Sequence, residues 1–181
     1  YFQSSKYFNS IRKQLIQFFQ PDDSEKKIII DKYGSLLNIN NRCNIALHIR
    51  RGDFLKLSKV HTNLKNDYYF NSIDYIENKL KENKNKLYWI FSDDIDYCKK
   101  VFTSQQFPNK KFIFVSEKDY LELYLMSQLD HFITANSSFS WWGSYLSENE
   151  NKTIIAPKNW FVNQRQNKTN KDIYLEGTVL L

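Results

Sequence analysis

The sequence predicts an α/β fold of the Rossmann-like type, in which a parallel sheet is flanked by helices. Five short apolar runs each suit a strand that is buried on both faces, and segments with helical periodicity separate them. Strands that alternate with helices form βαβ units, whose strands are parallel. The length of 181 residues and the hydrophobic content of 41% are sufficient for one packed core.

The predicted elements follow one another along the chain. The first is an amphipathic helix over residues 5–19, where Phe8, Ile11 and Leu15 recur at helical spacing and Pro21 ends the pattern. We expect strands at 44–50, 87–92, 112–116, 131–135 and 153–156. Further helices are predicted at 28–37, 68–82, 95–103, 120–129 and 139–147. The polar tail after Val162 has no clear pattern and receives no assignment.

Composition excludes several classes of function. The four glycines form neither a G-x-G-x-x-G dinucleotide loop nor a G-x-x-x-x-G-K-[ST] phosphate loop. The net charge of +6 comes from lysines scattered along the chain, so we expect no nucleic-acid partner. The dispersed cysteines and histidines argue against zinc and disulfides. No apolar run approaches the ~20 residues of a transmembrane segment, and we expect a cytoplasmic location, with or without membrane association.

Candidate site residues lie where the predicted strands end. In an open parallel sheet, ligands bind outside the carboxyl ends of the strands. The polar residues that follow the strands at this edge are Arg50, Arg51, Asp53, Ser92, Asp93, Asp94, Ser116, Glu117, Asn136, Ser137 and Ser138. We expect them to converge on one ligand.

Two adjacent arginines, Arg50 and Arg51, follow the first predicted strand and suggest an anion site. A guanidinium group is always charged and presents a planar fork of donors that suits phosphate oxygens. Arg50 shares a strand face with His48, whereas Arg51 points to the other face. We therefore predict that Arg50 binds phosphate and that Arg51 is a scaffold or secondary contact. The alternative for either arginine is a salt bridge, for instance to Asp53.

Asn136, Ser137 and Ser138 stand where the fourth predicted strand runs into a helix. Helix N-termini bind phosphate through free backbone amides, even without glycine. Taken alone, these residues are better explained as an ordinary N-cap. Together with an arginine pair on a neighbouring strand, they favour a phosphate site.

The acidic residues near this edge have structural alternatives. Asp94 and Asp96 have the D-x-D spacing of a divalent-cation site, but acids at a helix start commonly cap the helix and complement its dipole. We therefore predict a cap here, with Asp93 still able to face the ligand. Glu122 and Asp119 are the acids placed to accept hydrogen bonds from a base edge, as guanine requires.

Five motifs resemble those of the alpha-1,2-fucosyltransferases, inverting enzymes that use GDP-fucose. They are H-I-R-R-G-D (48–53), F-S-D-D (91–94), L-E-L-Y-L-M-S (121–127), A-N-S-S-F-S-W-W-G (135–143) and I-A-P-K-N-W-F (155–161). The resemblance implies the donor-binding half of a two-domain GT-B glycosyltransferase, with a galactose-type oligosaccharide acceptor in surface-glycan synthesis. The opening Y-F-Q-S-S-K-Y-F resembles the segment before the family's donor domain, which favours native residues over the remnant of a cleavable tag.

The resemblance also implies roles for the site residues. Arg50 would bind the β-phosphate and stabilise GDP as the leaving group, which makes it the catalytic residue. Hydroxyls and amides for the diphosphate would come from Ser137, Ser138 and Phe139. The residues near the nucleoside would be His48, Asp93 and Glu122. No metal or other cofactor is expected.

The sequence departs from the family in two ways. Family members usually carry Asp where this chain has Glu122, and the family's N-terminal G-G-L-G-N-Q motif is missing. We therefore expect a fragment of a longer protein, whose N-terminal acceptor domain precedes this chain. Residues 1–27 are predicted as an inter-domain helix and linker, and residues 28–181 as the GDP-sugar-binding domain. The general base that inverting transfer needs is not assigned.

Two other functions remain open at this point. A non-catalytic nucleotide or nucleotide-sugar binding module would keep the same site without the chemistry. A receiver-like signalling domain would use Asp93 and Asp94 as an acidic pocket, but it would leave the arginine pair and the capped helix without a role. Fucose transfer identifies an enzyme, and magnesium-dependent phosphorylation identifies a receiver domain.

Overall fold

The structure is a computed structural model that describes residues 4–56, 59–83 and 85–181. Within these residues one parallel sheet contains β1 (Cys43–Ile49), β2 (Lys86–Ser92), β3 (Lys111–Phe114), β4 (His131–Ile133), β5 (Ile154–Ala156) and β6 (Val179–Leu180). The spatial order of the strands is 3-2-1-4-5-6. This confirms the predicted Rossmann-like fold and adds β6 from the unassigned tail. The first three residues, on which the choice between native sequence and tag depends, lie outside the described residues.

Helices connect the strands and cover the sheet. They are α1 (Arg12–Phe18), α2 (Asp23–Leu37), α3 (Gly52–Lys56), α4 (Asn66–Lys79), α5 (Ile95–Val101), α6 (Asp119–Ser127), α7 (Ser138–Leu146) and α8 (Gln164–Thr169). The predictions for α4 to α7 are confirmed to within about three residues at each end, whereas α3 and α8 were not predicted. In the part of the chain that the structure describes, no helix is long and apolar enough to span a membrane.

The prediction of one helix over residues 5–19 was wrong in its first half. Ser5–Tyr7 and Asn9–Ile11 form short 3₁₀ turns, and only Arg12–Phe18 is α-helical. Phe8 separates the two turns with a non-helical backbone, φ −124° and ψ −12°. Its ring packs against Trp142, with 5.2 Å between the ring centroids. This tertiary contact overrides the local helical pattern.

Helix α2 begins earlier than the predicted start at residue 28. The Asp22 carboxylate accepts a hydrogen bond from the Glu25 N–H at 2.8 Å, and the Glu25 carboxylate accepts one from the Asp22 N–H at 3.2 Å. This capping box starts the helix at Asp23. The predicted domain division after residue 27 therefore falls inside α2, and it stays a prediction.

The core lies on both faces of the sheet. Every residue of β1 is buried, and its side chains alternate between two clusters. Ile45 and Leu47 pack in a cluster with residues of α4 and α5, whereas Ala46 packs in a cluster with residues of α2 and α6. A strand covered by helices on both sides is fixed in register, because a shift by one residue would exchange its two faces.

The strand order reverses at β1. β2 and β3 lie on one side of this strand, and β4, β5 and β6 lie on the other. In the ladder between β1 and β4, Leu47 is opposite Ile133, so Arg50 and Asn136 both stand three residues beyond a paired position. A reversal of this kind opens a crevice at the carboxyl ends of the two strands, where ligands bind in doubly wound folds.

Candidate functional site

Arg50 is anchored by two carboxylates directly after β1. Its Nη2 lies 2.8 Å from Oδ1 of Asp53, and its Nε lies 3.3 Å from Oδ2 of Asp93. The guanidinium carbon lies 5.6 Å from the ring centroid of Phe54. One third of the side chain remains exposed. The group is thus held in place while part of it is still available to an anion.

Arg51 has structural partners on the other side of the strand. Its Nε lies 3.1 Å from Oδ2 of Asp94, and its guanidinium carbon lies 3.4 Å from the ring centroid of Tyr97. Its backbone N–H donates to Asp93 at 2.9 Å. Asp94 also accepts from the Tyr97 N–H at 3.1 Å and caps α5. The cap prediction for Asp94 is confirmed, and the contacts of Arg51 are those of a scaffold residue.

Gly52 allows the loop after β1 to approach Asp93. A Cβ atom on this residue would lie 2.6 Å from Oδ2 of Asp93, well inside contact distance. Any larger residue would therefore push away the carboxylate that holds Arg50. This contact gives a physical reason for glycine within the R-R-G-D motif.

The loop from β4 to α7 brings the second polar group of the site. Ser137 is the N-cap of α7, and its side chain accepts from the Phe139 N–H at 3.3 Å. The amide group of Asn136 donates to the carbonyl oxygens of Thr62 at 3.0 Å and Trp160 at 2.8 Å. Asn136 therefore ties two loops together beside the site, while the first turn of α7 contributes backbone N–H groups that lack intrahelical partners.

His48 is a neutral, buried residue behind this turn. Its ring centroid lies 5.3 Å from that of Phe139, and 4% of the residue is exposed. Burial, with a smaller contribution from the charge of Arg50, lowers the pKa of His48 to about 3. Its Nδ1 has no hydrogen-bond partner among the described residues. The imidazole is therefore uncharged at neutral pH.

A cleft of about 500 Å³ joins the ends of β1 and β4. The predicted site residues that line it are Arg50, Asp53, Asn136, Ser137, Ser138 and Phe139. Its other walls come from Phe54, His61, Trp160, Phe161, Asn170 and Ile173, to which the sequence reasoning gave no role. Trp160 and Phe161 stand in a motif already noted at 155–161, but their position depends on how the loops meet in three dimensions.

The remaining predicted site residues do not line this cleft in the described structure. Ser92 accepts from the Asp94 N–H at 3.0 Å, and Asp93 is engaged with the two arginines. Glu122 accepts from the Glu117 N–H at 3.0 Å. Burial raises the pKa of Glu122 to about 7. The role of His48, Asp93 and Glu122 near a nucleoside stays a prediction, as does substrate binding by Ser92.

The family model for glycosyl transferase family 11 matches residues 1–180. The chain belongs to this family. It is 33% identical to the O-antigen biosynthesis glycosyltransferase WbnK of Escherichia coli, over 97% of this chain and 58% of that protein. It is also 33% identical to an alpha-1,2-colitosyltransferase of Escherichia coli, over 92% of this chain and 57% of that protein. The chain thus spans somewhat more than half the length of these two relatives.

A more distant relative comes from an animal. The chain is 27% identical to a protein of Caenorhabditis elegans named putative galactoside 2-alpha-L-fucosyltransferase svh-11, over 82% of this chain and 41% of that protein. The resemblance to fucosyltransferases seen in the motifs is therefore shown by the family match and by these relatives.

We predict that Glu122→Gln stabilises the protein in a pH-dependent manner. Because the folded-state pKa of Glu122 lies above its ordinary value of 4.5, folding favours the protonated acid. That stabilisation is complete below the ordinary value and is lost as the pH rises through about 7. Glutamine keeps an acceptor for the Glu117 N–H without the charge. The melting temperature of the Glu122→Gln variant should exceed that of the wild type at about pH 8 and lie close to it at about pH 5.

The matched control is Glu150→Gln, which removes a carboxylate that is exposed on the surface. This variant should shift the melting temperature equally at both pH values. If Glu122→Gln shifts the melting temperature equally at both pH values, folding does not raise the pKa of Glu122.

Proposed function

We propose that this chain binds GDP-fucose and is the donor half of a GT-B glycosyltransferase, which transfers fucose with inversion to a galactose-type hydroxyl in an alpha-1,2 linkage. The observation that carries the proposal is Arg50, held by two carboxylates and lining the same cleft as the first turn of α7. A guanidinium and a helix N-terminus together are complementary to a diphosphate. The names of two relatives support the sugar class and the linkage.

The guanidinium of Arg50 and the N-terminus of α7 would both act on the leaving GDP. In inverting transfer, the acceptor oxygen bonds to the anomeric carbon while the bond from that carbon to the β-phosphate oxygen breaks. The electron pair leaves with GDP, so negative charge grows on the β-phosphate. Arg50 and the amides of α7 would stabilise this charge because they are fixed in place beforehand. The acceptor proton passes to a general base, a role that the proposal gives to no residue of this chain.

The ion pairs of Arg50 suggest how phosphate enters. They use Nε and Nη2, so a phosphate oxygen would bind at Nη1 or displace Asp53 from Nη2. Asp53 is the more exposed of the two carboxylates, with half of its side chain accessible, and water can therefore solvate it after displacement. Asp93 is three quarters buried and would keep Arg50 in position.

The proposal includes catalysis without a metal ion in a cytoplasmic protein. Positive charge at the diphosphate would come from Arg50 and α7, while Asp53, Asp93 and Asp94 are paired with arginines. The cytoplasmic location is supported by Cys43 and Cys98, which are both free thiols in the core.

The apolar wall of the cleft suits a deoxy sugar. His61 stacks on Phe54 with 4.3 Å between ring centroids and 10° between ring planes, and Phe161 lies 6.3 Å from His61. Fucose and colitose, the sugars in the relatives' names, are both 6-deoxy sugars, in which C6 is a methyl group in place of a hydroxymethyl group. We therefore assign the wall of Phe54, His61 and Phe161 to the methyl-bearing side of the donor sugar.

The first test of this proposal is Arg50→Ala. Loss of the guanidinium removes the main charge partner of the β-phosphate and leaves Asp53 and Asp93 to repel it. The dissociation constant for GDP should rise about tenfold or more, measured by calorimetry. The control is Lys111→Ala, which removes the same charge at an exposed position at the amino end of β3. A folded Arg50→Ala variant that binds GDP like the control would contradict the proposed site.

The second test concerns the sugar. Phe161→Ala should reduce the affinity for GDP-fucose several-fold while leaving that for GDP unchanged, because the apolar wall contacts only the sugar. The hydrogen bonds between the backbone of Phe161 and the side-chain amide of Asn167 do not depend on the ring. Phe18→Ala, which truncates a ring that is 81% exposed, is the control. Equal losses for GDP and GDP-fucose would exclude the assigned sugar position.

A further inference from the structure

Two cations converge on the carboxyl end of α7. Arg12 donates from Nε and Nη2 to the carbonyl oxygen of Tyr145 at 3.2 and 3.0 Å, and from Nη2 to that of Ser147 at 2.7 Å. Lys152 donates to the same oxygen of Ser147 at 2.6 Å. Carbonyls in the last turn of a helix lack intrahelical partners, and positive charge there is favourable to the helix dipole.

The segment that carries Arg12 is packed along α7. The guanidinium carbon of Arg12 lies 5.5 Å from the ring centroid of Tyr145, whose hydroxyl donates to Asn9 at 3.2 Å. The rings of Phe8 and Phe19 lie 5.2 and 5.4 Å from that of Trp142. Residues before and after Arg12 in the sequence therefore also contact α7, and these contacts hold the Arg12 segment against the helix.

Helix α7 is short and closely packed at its middle. It has nine residues, so its ends are about 13 Å apart. At its middle it packs closely on α6, since a Cβ atom on Gly143 would collide with Sδ of Met126 and lie 2.8 Å from its Cγ. The Trp141 indole N–H donates to the Ile173 carbonyl at 2.6 Å. Because the backbone hydrogen bonds of a short helix make it stiff, a shift at its carboxyl end would displace its amino end.

We propose that Arg12 is a positioning residue for the donor diphosphate. It fixes the carboxyl end of α7 and thereby the placement of the backbone amides in the first turn of the helix, where Ser138 and Phe139 line the cleft. The inference rests on the proposed function, because it assumes that these amides meet phosphate. It adds a residue that lies outside the cleft and touches neither nucleotide nor sugar.

The test compares Arg12→Met with Lys13→Met. The first removes the forked donor and keeps an apolar stem, and the second removes the same charge from the neighbouring exposed residue. Affinities for GDP and for guanosine are measured by NMR titration, since these ligands differ only in the two phosphates. We expect Arg12→Met to bind GDP about threefold to tenfold more weakly, with unchanged guanosine affinity. Lys13→Met should change neither affinity.

Two results would overturn the inference. One is a folded Arg12→Met variant with wild-type GDP affinity, and the other is an equal loss for guanosine and GDP, which indicates general damage to the fold. Arg12→Lys keeps the charge with a single donor group and should give an intermediate GDP affinity. If Arg12→Met does not fold, the same ratio of affinities in Arg12→Lys decides the question.

Hydrogen exchange without ligand separates this inference from the proposed function. The amides of α7 should exchange faster in Arg12→Met than in Lys13→Met, because the last turn loses the hydrogen bonds that Arg12 donates to its carbonyl oxygens. Unchanged exchange would contradict the role of Arg12 whatever the nucleotide data show. A wild-type chain that binds no GDP would contradict the proposed function, while the exchange measurement still decides whether Arg12 holds α7.

Discussion

β1 lies at the centre of the sheet, where the strand order reverses, and each of its residues is buried between two layers of helices. This position fixes the register of the strand and therefore the place where Arg50 leaves it. Because β4 runs beside β1 in parallel, its carboxyl end delivers Asn136 and the start of α7 to the same crevice. The candidate site is a consequence of this one pairing between strands.

Charge in the site is fixed before any ligand arrives. Asp93 holds the guanidinium of Arg50 from the neighbouring strand, and Gly52 leaves the space that this carboxylate needs. The capped N-terminus of α7 adds oriented backbone dipoles on the other side of the cleft. In water such groups would have to reorganise as charge develops on a leaving group, whereas here the fold has already oriented them.

Local sequence patterns predicted those elements that depend on neighbouring residues in the sequence. The apolar runs of β1 and β2 gave these strands to within a residue, and the Asp94 cap followed from its place at a helix start. The prediction for α2 starts at residue 28, where its apolar residues begin, and misses the capping box of Asp22 and Glu25 that begins the helix earlier.

The features that the sequence did not predict depend on tertiary contacts or on very short elements. Phe8 leaves the predicted helix in order to pack on Trp142, and β6 is only two residues long, too short for any periodicity. His61 and Phe161 meet in the cleft because Asn136 ties their loops together. Neither the spacing nor the composition of the sequence contains that information, so the apolar wall of the site appears only in the structure.

The most direct measurement is a calorimetric titration of the wild-type chain with GDP and with UDP, each with and without a metal chelator. Because the proposed donor is GDP-fucose and its diphosphate would bind at Arg50 and α7, we expect GDP binding that is tighter than UDP binding and unaffected by the chelator. Equal affinity for the two nucleotides, or GDP binding that disappears with the chelator, would contradict it.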